Sequence, residues 1–331
     1  LIGNSTPMQH LNQMIKRVAP TNSRILITGE PGSGKEVVAR QIHNQSDRAE
    51  ASFVALNCAV MRPERLEAEL FGTEFGMEGN EVHSGVLEQA SGGTLLLDEV
   101  GDMPMETQSK IVSVLQDQYY HRLGGQEALQ ADVRILASTN HDLQDAMARH
   151  EFRQDLFYRL SVVPLEVPAL RERETDIPLL ANHFMQEIAQ ANGHRPREFS
   201  QTATVAMQAY TWPGNVRQLR NIVEWLIIMG DTDNDKAIRV DDLPPDFWQQ
   251  DAHQEATHRP QQLTNMPLRE AREAFERDYL MAQMQRFDWN ISKAAEFIGM
   301  ERSALHRKLK SLNIESSGTV QNGGNNNRIS A

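Results

Sequence analysis

Gly29-Glu30-Pro31-Gly32-Ser33-Gly34-Lys35-Glu36 constrains the fold of this chain more than any other run. An apolar stretch, Arg24-Ile25-Leu26-Ile27-Thr28, precedes it, and the helical pattern Val37-Val38-Ala39-Arg40-Gln41-Ile42 follows. Strand, glycine loop and helix in that order turn a glycine pattern into a phosphate site. The glycines permit backbone angles that side chains forbid, so consecutive N–H groups converge on phosphate oxygens. The helix adds its positive end, and Lys35 adds a mobile cation near the β and γ phosphates. An ordinary glycine-rich βα turn is the plain alternative, but it does not require Lys directly after the last glycine. Gly29, Glu30, Gly32, Ser33, Gly34, Lys35 and Glu36 are therefore expected to bind a nucleotide. Position 36 is Glu where the general motif has Ser or Thr on Mg²⁺. A carboxylate still suits that ion, directly or through water, so Glu36 is a candidate metal ligand.

At 331 residues the chain is long enough for two or three domains. No apolar run is long enough to span a membrane, and the first residues lack the basic start and apolar block of a signal peptide. Cys58 is the only cysteine, which excludes an internal disulfide and fits a reducing cytoplasm. A net charge of −12 argues against nucleic-acid coating by the whole chain while leaving room for a local basic module.

Residues 1–170 alternate between strand and helix patterns, with candidate strands at Ile25–Thr28, Phe53–Asn57, Thr94–Asp98 and Val133–Thr139. That alternation predicts an α/β unit with a parallel sheet. Residues 171–248 read as helical, with patterns over Leu179–Ala191 and Asn215–Met229. A polar linker is expected at 249–265, a helical domain at 266–314 and a disordered tail at 315–331. The strand Thr94–Asp98 ends in two acids, Asp98 and Glu99. A strand of this kind following a P-loop places Asp98 on Mg²⁺ and Glu99 where it polarises the attacking water.

GEPGSGKE, the run LFGTE, then GGTLLLDEVGDMP and FRQDLFYRL resemble the AAA+ central domain of bacterial enhancer-binding proteins, the activators that work with sigma-54 polymerase. The likeness runs from Leu1 to about Trp248. It implies an AAA+ P-loop NTPase sheet with a helical lid, binding ATP and Mg²⁺. By this resemblance Thr139 and Asn140 match the sensor I position, and Arg217, in WPGNVRQLRN, matches the sensor II arginine. Arg153 and Arg159 match arginines that reach a neighbouring subunit's ATP, which implies a ring. Asn57 matches the side chain that restrains the catalytic Glu. Read alone, Arg153 and Arg159 fit a solvated face with an ion pair to Asp155 better than a phosphate-clamping role; the motif reverses that preference. Cys58 reads as a small buried hydrophobe.

The family's GAFTGA loop, which touches sigma-54, is replaced. Here Phe75-Gly76-Met77-Glu78-Gly79-Asn80-Glu81-Val82-His83-Ser84 lacks the central Phe-Thr and carries Glu78 and Glu81. A gripping loop tip does not exchange an apolar anchor for acids and keep the same contact, so sigma-54 polymerase is a doubtful partner. Together with NISKAAEFIGMERSALHRKLKSLNI, this loop resembles the NtrX-type nitrogen response regulators. That likeness implies a phosphoacceptor receiver domain. Residues 1–331 contain none, so sensor-kinase input is expected only where a receiver is present.

Trp289 to Lys310 reads as helix, glycine turn at Gly299 and helix. Arg302, Ser303, His306, Arg307 and Lys310 form the outer positions of the second helix, suited to base edges and phosphates. Residues 286–313 carry six Lys and Arg against three Asp and Glu, a local reversal inside an acidic chain. A helical hairpin with a charged face is the bland alternative. The segment also resembles the Fis-type helix-turn-helix. Leu268, Ala271, Phe275 and Leu280 lie at helical spacing ahead of it, suiting a dimer on a pseudo-palindromic double-stranded DNA operator.

The expected protein is thus a cytoplasmic, ATP-binding, DNA-binding transcription regulator in which nucleotide controls oligomerisation or DNA affinity. The alternatives are a sigma-54 remodelling ATPase with an unconventional loop, and a metabolic P-loop kinase with a helical appendage. The arginine pair and the C-terminal helices count against the kinase.

Overall fold

The computed structural model describes residues 1–74, 82–230, 237–244, 280, 284, 291, 295 and 300–311. The acid-bearing loop tip (75–81), the linker, the tail, Gly299 and most of the helix expected from 268 to 287 lie outside the described residues. Two compact units divide the chain at Pro244 and Pro245.

In the first unit, strand β1 (Ile25–Thr28) follows helix α1 (Thr6–Val18) and leads through the glycine loop into α2 (Lys35–Asn44). Next come β2 (Phe53–Asn57), α3 (Pro63–Phe71), α4 (Val86–Gln89), β3 (Thr94–Asp98) and α5 (Met105–Asp117). A small antiparallel pair, β4 (Tyr119–Tyr120) and β5 (Leu129–Gln130), precedes β6 (Arg134–Thr139), α6 (Leu143–Ala148), α7 (Gln154–Leu160) and β7 (Val163–Glu166). The parallel sheet has the order β2-β3-β6-β1-β7.

Alternation along the strands decides which layer each residue enters. Ile25, Ile27, Leu96 and Leu136 face α1 and α2, packing with Met8, Leu11, Ile15, Val38 and Ile42. Leu26, Leu95, Leu97, Ile135 and Ala137 face the other way, onto Leu66, Leu70, Ile111, Leu156 and Leu160. Burial on both faces explains why these strands read as continuous apolar runs.

The four expected strands are present, the last beginning at Arg134 rather than Val133. The fifth, β7, went unrecognised because Pro164 and Glu166 interrupt its apolar pattern. It pairs with β1 at the sheet edge, where a missing N–H is tolerated. The chain segment that carries the altered loop is pinched at its base. Thr73 bridges His83 antiparallel, and a Cβ on Gly72 (φ 78°) would lie 2.4 Å from the His83 carbonyl oxygen.

Helices α8 (Ile177–Ala191), α9 (Gln201–Ala209) and α10 (Asn215–Met229) form the lid. Pro178 opens α8, and the Ser200 hydroxyl caps α9 by accepting from the Ala203 amide at 3.2 Å. Trp212 is fully buried, its indole N–H donating to the Met207 carbonyl at 2.8 Å. In the second unit, α11 (Arg302–Ser311) buries Leu305 and Leu309, and Leu280, Met284 and Ala295 are buried too.

One polar contact ties the sheet to α1. Arg134, 2% exposed at the start of β6, donates to the Ala19 and Val18 carbonyls at 2.7 and 3.0 Å. Those carbonyls end α1, and the Val18 carbonyl also accepts from the Thr21 amide at 3.1 Å and the Thr21 hydroxyl at 2.8 Å. Arg134→Ala is expected to cost about 1–3 kcal/mol, because the buried Ala19 carbonyl loses a charged donor while the Val18 carbonyl keeps its bonds from Thr21. A urea midpoint lowered at constant m would show it, and an unshifted midpoint would remove Arg134 from the cap.

Candidate functional site

Parallel strands bring their carboxyl ends to one edge of the sheet, and the chain's phosphate-binding and acidic signals all sit there. Gly34 adopts φ 106° immediately before α2, and Gly32 adopts φ 75°. Gly32 also admits close backbone approach, since a Cβ there would lie 2.4 Å from the Gly214 carbonyl oxygen. Both positions need glycine.

Lys35 is 6% exposed and turns back over the loop. Its ammonium donates to the Gly29 carbonyl at 3.0 Å and pairs with Glu99 Oε1 at 3.1 Å. Glu99 occupies the left-handed region (φ 54°, ψ 54°), an unusual conformation for a residue with a side chain. Its other oxygen accepts the Asn140 amide at 2.8 Å. Asn140 therefore meets the acid through its backbone. Thr139 is buried, and its hydroxyl accepts from the His141 amide at 3.0 Å. Thr28, Gly29, Glu30, Thr139 and Asn140 line one cleft with α6 and α7.

Asp98 is fixed from two sides. Ser138 Oγ donates to Oδ1 at 2.5 Å and Asn57 Nδ2 donates to Oδ2 at 3.3 Å. Asn57 thus touches Asp98, whereas the family resemblance placed it on Glu99. The register explains the difference: Asn57 and Asp98 are direct partners on β2 and β3. Sequence reasoning missed Ser138, which lay inside a strand pattern and carried no motif of its own. Cys58 is buried, and burial, then the Asp98, Asp102 and Glu99 carboxylates, push its thiol up to about 12, which suits an inert core residue.

Two carboxylates expected on the ligand are engaged elsewhere. Glu36 is exposed and accepts from Arg40 Nε and a terminal nitrogen at 3.1 and 2.8 Å, one helical turn away. Glu30 accepts from both terminal nitrogens of Arg171, at 2.8 and 2.5 Å, and from Asn215 Nδ2 at 3.0 Å. The Arg171 and Asn215 hydrogen bonds hold the Glu30 carboxyl down at about 2. Among the described residues, no group of three or more His, Cys, Asp and Glu side chains is arranged to hold a metal by itself. Asp98, oriented by Ser138 and Asn57, is the carboxylate that fits Mg²⁺ completed by phosphate oxygens and water.

The arginines are distributed differently from one another. Arg153 pairs with Asp155 at 2.7 Å and donates to Ser109 Oγ at 3.1 Å, the ion pair the bare sequence allowed. Arg159, half-buried on α7, donates to Gln116 at 3.0 Å. Arg217 is exposed, while its backbone N–H reaches the Gly32 carbonyl at 3.3 Å and so brings the lid onto the loop. On α11, Arg302, Ser303, His306 and Arg307 are exposed and share one open cleft; the side chain of Lys310 lies outside the described residues.

Glu30 makes a pH prediction. Its folded value, about 2, is below the ordinary 4.5, so its contribution to stability is present above pH 4.5 and is lost as pH falls toward 2. The stability gap between the wild-type chain and Glu30→Gln should therefore narrow across that interval. Denaturant midpoints at a series of pH values check this, and a constant gap would contradict it.

Three families match the chain: the Sigma-54 interaction domain over residues 1–166, the AAA+ ATPase lid domain over 171–260, and Bacterial regulatory protein, Fis family, over 271–312. The nitrogen assimilation regulatory protein NtrX of Azorhizobium caulinodans is 51% identical over 314 residues, which cover 95% of this chain and 69% of that protein. The DNA-binding transcriptional regulator NtrC of Escherichia coli is 37% identical over 333 residues, 95% of this chain and 70% of that one. The crystal structure of NtrX from Brucella abortus in complex with ATP is similar at a TM-score of 0.69 and 52% identity, covering 94% of this chain and 69% of that one. The chain thus spans about two thirds of the length of these relatives. On these matches, and on a P-loop, acid pair and lid meeting at one sheet edge, the chain belongs to the bacterial enhancer-binding regulators of the NtrX and NtrC type.

Proposed function

We propose that this chain is a DNA-binding transcription regulator whose AAA+ module binds ATP with Mg²⁺ and uses the nucleotide to set its oligomeric state or DNA affinity. The observation that carries this reading is the convergence of Lys35, Asp98, Glu99, Ser138 and the Asn140 amide at the end of the glycine loop. The ATP complex of the similar Brucella abortus NtrX supports it.

Bound ATP with Mg²⁺ supplies a phosphoryl group open to attack by water. Lys35 and the loop amides would bind phosphate oxygens, and Asp98, in the orientation Ser138 sets, would hold the metal. Glu99 accepts a proton from water once Lys35 no longer neutralises it. Glu36 becomes a metal ligand only by leaving Arg40. Thr139 and Asn140 sense the terminal phosphate from β6, and Arg217 adds charge from the lid. Arg153 and Arg159 act on a neighbouring subunit's nucleotide, for which Arg153 must leave Asp155. Arg302, Ser303, His306 and Arg307 face DNA from α11, Lys310 is assigned to the same contact from its sequence position, and paired C-terminal domains present two such helices to a pseudo-palindromic site.

A second reading, remodelling of sigma-54 polymerase, is favoured by the match to the sigma-54 interaction domain and disfavoured by Glu78 and Glu81 in the loop. Purified sigma-54 polymerase on a promoter carrying the operator separates the two. No gain in open complex with ATP, while the operator is occupied, is the expected result; a gain would establish the second reading.

Two substitutions divide the proposed activities. Lys35→Ala should weaken ATP binding roughly 100-fold, the worth of a lost charged donor, and abolish any effect of ATP on operator binding. Arg307→Ala should keep ATP affinity, weaken operator binding and flatten its salt dependence. Fluorescent-nucleotide titration and operator binding across a salt series read both. Wild-type ATP affinity in the first variant would refute the P-loop assignment, and a wild-type salt slope in the second would remove Arg307 from the phosphate contacts.

A further inference from the structure

Four consecutive residues of the glycine loop are each held by residues that lie more than a hundred positions downstream. The Glu30 carboxylate accepts from Arg171 and from Asn215 Nδ2, and the Pro31 carbonyl accepts from the same Asn215 nitrogen at 3.1 Å. The Gly32 carbonyl accepts the Arg217 amide at 3.3 Å. The Ser33 carbonyl accepts from Arg173 at 2.7 Å, and Arg173 is only 4% exposed. Arg171 and Arg173 belong to the junction where the sheet domain passes into the lid; Asn215 and Arg217 open the lid helix α10.

Asn215 stands at the centre. It is fully buried, and its Oδ1 accepts the Leu170 amide of the junction at 2.7 Å. One side chain thus bonds loop, junction and lid together. Its backbone is left-handed (φ 51°), a conformation that asparagine tolerates better than most residues. Glycine would suit that backbone equally well but would bring none of the three bonds. The Glu30–Arg171 pair is partly exposed, at 39% and 45%, where an ion pair adds little stability but where a two-point Arg–carboxylate contact still fixes geometry.

We propose that Asn215, with Arg171 and Arg173, is the positioning unit of the nucleotide loop, shaping residues 30–33 from the lid side so that loop conformation and lid angle change together. Glu30 is a member of this unit, held away from ligand contact. The inference rests on the nucleotide-binding reading above, and part of its test does not depend on that reading.

The test uses the full 331-residue chain, with Asn215→Gly as the main variant and Glu30→Gln as a milder one that removes the charged acceptor. Without nucleotide, hydrogen exchange at the Leu170 and Arg217 amides should quicken about tenfold or more in Asn215→Gly, with a smaller rise in Glu30→Gln. With fluorescent ADP, the Kd should rise about tenfold in Asn215→Gly at a temperature where the variant is fully folded. Unchanged exchange at both amides in both variants overturns the proposal. Faster exchange with wild-type ADP affinity also overturns it, since the contacts would then serve stability alone. If the wild-type chain binds no ADP while exchange still responds, the nucleotide reading fails and the link between loop and lid stands.

Discussion

The ammonium of Lys35 organises the carboxyl edge of the sheet. It is almost wholly removed from water, and a charge in that position must be paired. Glu99 Oε1 and the Gly29 carbonyl provide the pairing. The same contact holds Glu99, whose left-handed backbone costs about 1–2 kcal/mol and persists because its carboxylate is tied at both oxygens, by Lys35 and by the Asn140 amide. In this arrangement the ammonium and the carboxylate neutralise each other. On the proposed reading, a phosphate group would compete with Glu99 for Lys35, so that arrival of the ligand and release of the carboxylate would be a single electrostatic exchange.

Asp98 depends on a different constraint, the register of the sheet. Its direct neighbour on β2 is Asn57, and the β6 residue reaching its other oxygen is Ser138. Two hydrogen-bond donors from adjacent strands fix the carboxylate, which would keep the reorganisation needed to bind an ion small. Glu99, one residue later, has left the strand and is free of that register. Neighbouring acids therefore acquire separate roles from separate supports: one is held rigidly by the sheet, the other by a contact that a ligand can exchange.

Much of this was legible because it is local. The glycine loop, the acid pair and the apolar strands each lie within a few residues, and the lid helix Asn215–Met229 carries its periodicity on its surface. The fifth strand was not legible, since Pro164 and Glu166 disguise an edge position that only pairing with β1 reveals. The side-chain commitments of Glu30 and Glu36 illustrate the limit. Arg40 lies one helical turn from Glu36, so their pair was within reach of sequence reasoning. Arg171 and Asn215 are brought to Glu30 by the folded chain, and no pattern in the loop points to them. Ser138 was invisible for the same reason: its partner is set by sheet order.

The charge distribution separates the two ends of the chain. The chain carries −12 overall, so its body repels a phosphate backbone, while α11 presents Arg302, His306 and Arg307 outward with Leu305 and Leu309 buried behind them. Screening over about 8 Å at physiological salt limits the reach of exposed charges, so the local sign at α11 counts for more than the net charge of the chain. On the proposed reading, DNA affinity would depend on direct contacts from α11 and on the number of such helices presented together. A second helix on the same DNA adds its contacts as an intramolecular event and raises avidity without new chemistry. On the proposed reading, a nucleotide that altered assembly through Lys35 would alter DNA occupancy without touching α11.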